Sequence, residues 1–194
     1  YGGAEQFVSG YTRYLAEMGH EVHIFANQWT PSHHPNLKIH SVRAFTRNSF
    51  LRVLSFGWFA LQAISFKSYD IVQSHERIWR QDIYRAGDGC HREWLERRSS
   101  HLPFIKRFLL KFNLFHQLIL RLEKRIFEKG ECKKIIAISE MVKRDILKHY
   151  RVPEDRVKVV YNGVQLDRFD PSNKKYFYHE IRQQLRISDQ EVMI

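Results

Sequence analysis

Cysteine, acid and long apolar runs are what this sequence has least of. Cys90 and Cys132 are its two cysteines, spaced too widely for a metal knuckle. One optional pair is a poor disulfide framework for a domain of this size, so the usage fits a reducing cytoplasm. No stretch approaches the roughly 18 uncharged apolar residues of a membrane span, and no basic-then-apolar leader precedes a small-residue cleavage site. The expectation is a soluble or peripheral protein. Acidic residues number 21 against 32 lysines and arginines, a formal net charge of +11, which calls for an anionic partner: nucleic acid, a phosphorylated ligand or an acidic membrane surface. Internal repeats and low-complexity tracts are missing as well.

What is present is enough apolar material, 43% of 194 residues, for one ordinary domain plus a short extension. Both ends read as cut: the chain enters a glycine turn and helix directly after Tyr1, and Glu191 to Ile194 looks like the start of an apolar strand. After the glycines, Phe7, Val8, Tyr11, Leu15 and Met18 recur at three- and four-residue steps and predict one face of a helix, which Gly19 ends. A strand follows over 21 to 26, completing most of a βαβ unit whose first strand would precede Tyr1. Further strands are predicted over 37 to 42, 70 to 73, 82 to 86, 133 to 138 and 156 to 161, with helices over 50 to 66, 102 to 129 and 140 to 150. Such alternation argues for an α/β fold, a doubly wound parallel sheet covered on both faces. From Asp170 a polar turn and a charged helix over 176 to 185 read as a connector, dividing the chain into a domain over 1 to 169 and a linker with the start of a second domain over 170 to 194.

Gly2 and Gly3 open the first helix. A helix start presents unpaired N–H groups and the positive end of the dipole, so a glycine turn there lets a phosphate or sugar touch the backbone; the plain alternative is a tight turn. A nicotinamide-binding fold would want G-x-G-x-x-G and an acid closing the second strand, where this chain has Ala26-Asn27-Gln28. Asp88, between Gly87 and Gly89, falls just beyond the carboxyl end of the strand over 82 to 86, where ligands of doubly wound sheets bind. It is a candidate for a sugar-hydroxyl ligand or a base, and equally for the cap of a helix starting near His91. His75 lies at another strand end as a second-tier contact or an ordinary loop histidine. Cys90, His91 and Glu93 point in different directions on a helix, so no metal site is expected. Ser139 is read as a helix cap and Asn162-Gly163 as a tight turn.

The stretch from Leu102 to Lys129 combines Ile105, Phe108, Leu109 and Phe112, and later Ile119, Leu122 and Ile126, at helical spacing with a basic edge of lysines and arginines. A helix of this kind packs on a sheet with solvated charges or lies in an anionic bilayer interface, and the reading favoured is packing together with a peripheral membrane role.

Taken in order, "GGAE" at residues 2 to 5 with "GHEVHIF", "IIAISEMVKRDI" and "VVYNGVQLDRF" resemble the N-terminal half of retaining GT-B glycosyltransferases of family four. "AGDGCHREW" and the basic helix after it are similar to the branch that glucosylates the lipopolysaccharide core. The resemblance implies two Rossmann-like domains facing a cleft. A nucleoside-diphosphate sugar would be held mainly by the C-terminal domain and a glycolipid or glycan acceptor mainly by this one. It implies transfer with retention, without metal or other cofactor, by a cytoplasmic protein peripheral to the inner face of the cytoplasmic membrane.

On that resemblance Gly2, Gly3, Ala4 and Glu5, with Asn162 and Gly163, would face the donor diphosphate or sugar. Asp88 stands where many relatives carry a histidine, and His75, His91 and Ser139 would be acceptor-side or second-tier residues. Many relatives have Asp where this chain has Gln165, leaving Asp167 as a substitute. The basic pair and glutamates expected of the second domain lie outside the chain, so the fragment alone is expected to be inactive. Two other classes compete: a GT-B-type nucleotide-sugar epimerase or phosphorylase, and a basic nucleic-acid-binding domain. The latter lacks a recognition motif or stacking platform.

Overall fold

A computed structural model describes residues 3–29, 34–65, 69–164, 166, 170–188 and 190–192, apart from the side chains of Ala4 and Ser65. Gly2, Gln165 and Asp167 lie outside the described residues. The chain divides into two compact units, 1–161 and 162–194.

The first unit begins with α1 (Gly3–Glu17), followed by β1 (Val22–Ala26) and β2 (Leu37–Ser41). Among the described side chains of α1, Thr12 and Ala16 are buried, whereas Met18, expected on the apolar face, is 59% exposed. The helix ends as its sequence dictates. Gly19 takes φ +92°, and the N–H groups of His20 and Gly19 close on the carbonyls of Leu15 and Ala16. Those bonds satisfy last-turn acceptors that a β-carbon in this conformation would make costly to reach. β1 and β2 pair in parallel, with Ala16, Ile24 and Leu37 forming a small core against α1.

Next come α2 (Ser49–Ser65), β3 (Gln73–Ser74), β4 (Ile83–Ala86), α3 (His91–Ser100), α4 (Phe104–Lys111), α5 (Leu114–Glu128), β5 (Lys134–Ala137), α6 (Glu140–His149) and β6 (Val157–Val159). β3, β4, β5 and β6 form a parallel sheet in that order, registered by Tyr84 opposite Ile135 and Ile135 opposite Val157. The expected α/β fold with parallel strands is thus present. Its main core is Tyr84, Ile126, Phe127, Ile135, Ile146, Val157 and their neighbours. Each large apolar side chain so buried contributes about 1.5–3 kcal/mol.

Three expectations need correction. The strand expected over 70 to 73 is reduced to Gln73–Ser74, and Ile71 is 65% exposed. Asp82 explains this: its Oδ2 takes the Val72 N–H at 3.0 Å, replacing a ladder bond with a side-chain one. The helix expected over 102 to 129 is broken in two. Asn113 accepts the N–H groups of Phe115 and His116 with its side chain, and this local capping competes with continuation of the preceding helix. Asn162-Gly163 makes no tight turn, and Gly163 is not in the left-handed region.

In the second unit, a 3₁₀ turn at Pro171–Asn173, capped by Asp170 through Ser172 N, leads into α7 (Lys174–Leu185). Asn162 and Gly163 belong to this unit.

Candidate active site

The carboxyl end of β4 runs straight into the turn Gly87-Asp88-Gly89, where Gly89 takes φ +73°. Asp88 is exposed, its carboxylate lying 3.6 Å from Nη1 of Arg77. Arg85, buried on β4, stacks its guanidinium over the Phe7 ring of α1 at 3.8 Å. A β-carbon added to Gly87 would stand 3.0 Å from Arg85 Nη1. Arg85 therefore joins the second turn of α1 to the Gly87-Asp88 turn, bringing two glycine-bearing segments to the same end of the parallel sheet.

Asp88 does not cap α3. The N-cap residue, Cys90, makes no side-chain cap bond, and the task falls to Glu123 of α5. Glu123 is fully buried; its Oε1 accepts the His91 N–H at 2.7 Å and its Oε2 the Arg92 N–H at 3.3 Å. Oε1 also accepts from Arg77 Nε and Nη2, and Oε2 from the Tyr150 hydroxyl at 2.7 Å. Arg77 Nη2 in turn donates to the Gly89 carbonyl at 3.0 Å. A buried carboxylate with five donors thus carries the arginine that braces both Asp88 and Gly89. Desolvation and the neighbouring Glu123 charge push the Tyr150 hydroxyl well up, so it remains a donor. The Glu76 carboxyl is raised by desolvation and by the Asp88 charge, against the pull of Arg77 and Arg52.

Sequence reasoning passed over Arg77, Arg85 and Glu123. The signal for Glu123 was an acid one step from Leu122 and four from Ile119 on the buried side of a helix; Arg77 and Arg85 lie in short segments without periodicity.

Gly3 is the first residue of α1, and a β-carbon there meets nothing within 4 Å. The space beside it is open, and no packing within the described residues demands a glycine. Glu5 is exposed in the first turn of the helix. His75 stands among Phe7, Tyr11 and Gln73, its Nε2 3.1 Å from Gln73 Nε2. Burial, and then the Arg85 charge, lower its pKa to about 4. His91 pairs with His116 at 3.1 Å and stacks on Trp94; burial, then Arg77 and His116, lower it to about 4. Both imidazoles are neutral at pH 7. Ser139 caps α6 by accepting the Val142 N–H at 3.2 Å.

Cys90 and Cys132 are free thiols packed in the core, each pushed up to about 11 mainly by burial. Among the described residues, Glu93, Glu96 and His149 bring three donor atoms close together. Glu93 is already held by Arg97, Lys148 and His149 at 2.8, 2.7 and 2.6 Å, so the cluster is a cross-brace between α3 and α6.

The two halves of the basic apolar stretch part company. α5 buries Ile119, Leu122, Ile126 and Phe127. α4 buries nothing: Phe104, Ile105, Phe108 and Leu109 are all more than half exposed, alongside Lys106, Arg107 and Lys111. Among the described residues no helix is long and apolar enough to cross a membrane.

Comparison with known proteins agrees with this architecture. The chain is 20% identical over 168 residues to the lipopolysaccharide glucosyltransferase WaaG of Escherichia coli strain K12, covering 87% of this chain and 43% of that protein. The crystal structure of WaaG, a glycosyltransferase involved in lipopolysaccharide biosynthesis, matches with a TM-score of 0.78 at 19% identity, over 98% of this chain and 50% of that one. A glycosyltransferase from Rickettsia africae ESF-5 matches with a TM-score of 0.61 at 20% identity, over 97% of this chain and 47% of that one. The chain spans about half the length of these relatives or less. Residues 1–168 match the glycosyltransferase family 4 domain, and the chain belongs to Glycosyltransferase Family 4.

Proposed function

We propose that the protein to which this chain belongs transfers a hexose, with retention of configuration, from a nucleoside-diphosphate sugar to the lipopolysaccharide core or a related glycolipid. Residues 1–169 serve as its acceptor-side domain, and residues 170–194 lead toward the donor-binding one. The observation that carries the reading is the joining of two segments through Arg85: the α1 amino end and the Gly87-Asp88 turn share the carboxyl end of a parallel sheet. Ligands of open α/β sheets bind at that end.

The chemistry suits these parts. An acceptor hydroxyl attacks the anomeric carbon on the face from which the diphosphate leaves; the carbon–oxygen bond to the diphosphate breaks, and the hydroxyl proton departs with the leaving phosphate. Charge builds on phosphate oxygens, and the positive end of the α1 dipole stabilises it without a metal ion. Gly3, where an added β-carbon meets nothing within 4 Å, leaves room for that approach. Asp88, braced by Arg77, accepts a hydrogen bond from a hydroxyl of the transferred sugar. His75 and His91, both neutral, are uncharged polar neighbours of the acceptor. The exposed aromatic and basic side chains of α4 rest in the anionic inner face of the cytoplasmic membrane, where a glycolipid acceptor is anchored.

The test is transfer of labelled sugar to a lipid-anchored acceptor by the complete protein. Asp88→Ala is expected to lower turnover about tenfold to a hundredfold, the value of one or two hydrogen bonds strengthened in the transition state. The product's anomeric configuration, read by NMR, checks retention. Unchanged turnover removes Asp88 from the site, and donor epimerisation or phosphorolysis without transfer removes the reaction class.

A further inference from the structure

Between Glu21 and Asp70 the sequence contains no acidic residue. Within that stretch, α2 turns two unlike faces to its surroundings. Ser55, Gly57, Ala60 and Ile64 are buried, with the Trp79 ring lying against Gly57. Leu51, Leu54 and Trp58, at steps of three and four, point the other way and are 37%, 37% and 56% exposed. Tryptophan is among the residues most buried on average, so this exposure on the outer face of an amphipathic helix is informative.

The preceding segment extends the face. Phe45 is 62% exposed and is fixed against α2 by its N–H bond to Ser55 Oγ at 2.9 Å and by its ring beside Phe59. Arg43, Arg47 and Arg52, all exposed, border it.

We propose that this face of α2, with Phe45 and Trp58 as its aromatic anchors, is a second membrane-docking element that lies in an anionic bilayer interface. The proposal rests on the membrane contact assigned above to α4. A lipid surface is the occupant because aromatic rings and arginines without any acid suit the headgroup layer. α2 packs on α5, which follows α4, so both exposed apolar faces belong to one connected helical layer. Two attachments restrict pivoting that one would allow.

Cys90 and Cys132 of this chain are both buried, so with any cysteine outside residues 1–194 replaced by serine, Trp58→Cys provides one reactive surface thiol for an environment-sensitive fluorophore. With vesicles of phosphatidylglycerol and phosphatidylcholine at low salt, its emission should shift to the blue and be quenched by nitroxides carried on lipid chains. Vesicles of phosphatidylcholine alone should leave it unchanged. Replacing Arg43, Arg47 and Arg52 together by glutamine should weaken vesicle binding about tenfold or more while far-UV circular dichroism stays constant. If unlabelled protein binds anionic vesicles but the label remains in water, α2 is not a docking element and the α4 reading survives. If the unlabelled protein binds no anionic vesicle, both fail. A blue shift without lipid that grows with protein concentration means self-association and overturns the proposal.

Discussion

Glu123 and Arg77 meet across 46 positions of sequence, with Oε1 accepting from Nε at 3.1 Å and from Nη2 at 3.0 Å where neither side chain reaches bulk solvent. The pair ties α5 to the segment before β4, and its remaining bonds hold the amino end of α3 and the Gly89 carbonyl. Glu123→Ala would leave a buried guanidinium without its carboxylate and two α3 N–H groups without an acceptor. We expect a loss of about 3–5 kcal/mol, read as a lowered denaturation midpoint. Glu123→Gln, which keeps one acceptor oxygen and the volume, should lose less. Equal midpoints for wild type and Glu123→Ala would mean that the hub carries no stability.

Glu93 predicts an acid limb to the stability curve. Lys148, Arg97 and His149 hydrogen-bond to its carboxylate and hold its pKa at about 2, below the ordinary 4.5. A carboxylate depressed in the folded state contributes stability that is complete above its unfolded value and is lost as pH falls from about 4.5 toward 2. Glu93→Gln should therefore melt below the wild type at pH 7, and the gap should narrow as pH falls toward 3. A gap constant with pH would assign the effect to packing.

Much of the fold was legible because its signals are local. Periodic apolar positions and Gly19 set α1, and the β-rich runs over 82 to 86, 133 to 138 and 156 to 161 mark parallel strands, the last two longer than the β5 and β6 observed. Two of the misreadings, the strand over 70 to 73 and the unbroken helix over 102 to 129, share a cause, which is competition from a polar side chain. Asn113 can cap α5 or sit inside a longer helix, and nothing in its neighbours decides which. Asp82, just before β4, takes the N–H of Val72, just before β3, which spacing along one strand cannot reveal. Asp88 stood out in the sequence because glycines flank it. The residues that brace it, Arg77 and Glu123, come together only through the tertiary fold.

Gly57 and Trp79 give a packing test. A β-carbon on Gly57 would stand 2.6 Å from Trp79 Cε3, closer than side chains approach, so Gly57→Ala forces the indole or α2 to move. Helix propensity alone would favour alanine by about 1 kcal/mol. Overpacking should outweigh it, for a net loss of about 1–2 kcal/mol by urea denaturation. Adding Trp79→Leu should recover part of the loss from Gly57→Ala; a Gly57→Ala protein more stable than the wild type would refute the close contact.

Gly3 separates stability from function at one atom. Its added β-carbon meets nothing within 4 Å, and it occupies the first position of α1, so Gly3→Ala has no internal clash to pay for and should be neutral or slightly stabilising. The same methyl would project into the space that the proposed function gives to the donor diphosphate. In the complete protein Gly3→Ala should leave the melting temperature within about a degree and lower sugar transfer about tenfold, with the loss chiefly in the KM for the donor, since an obstructed approach weakens binding in ground and transition states alike. Transfer kinetics over a donor titration, set beside thermal melts of the same preparation, decide it. Loss of stability in step with activity would trace the glycine to folding, and unaltered kinetics would place the donor elsewhere than the amino end of α1.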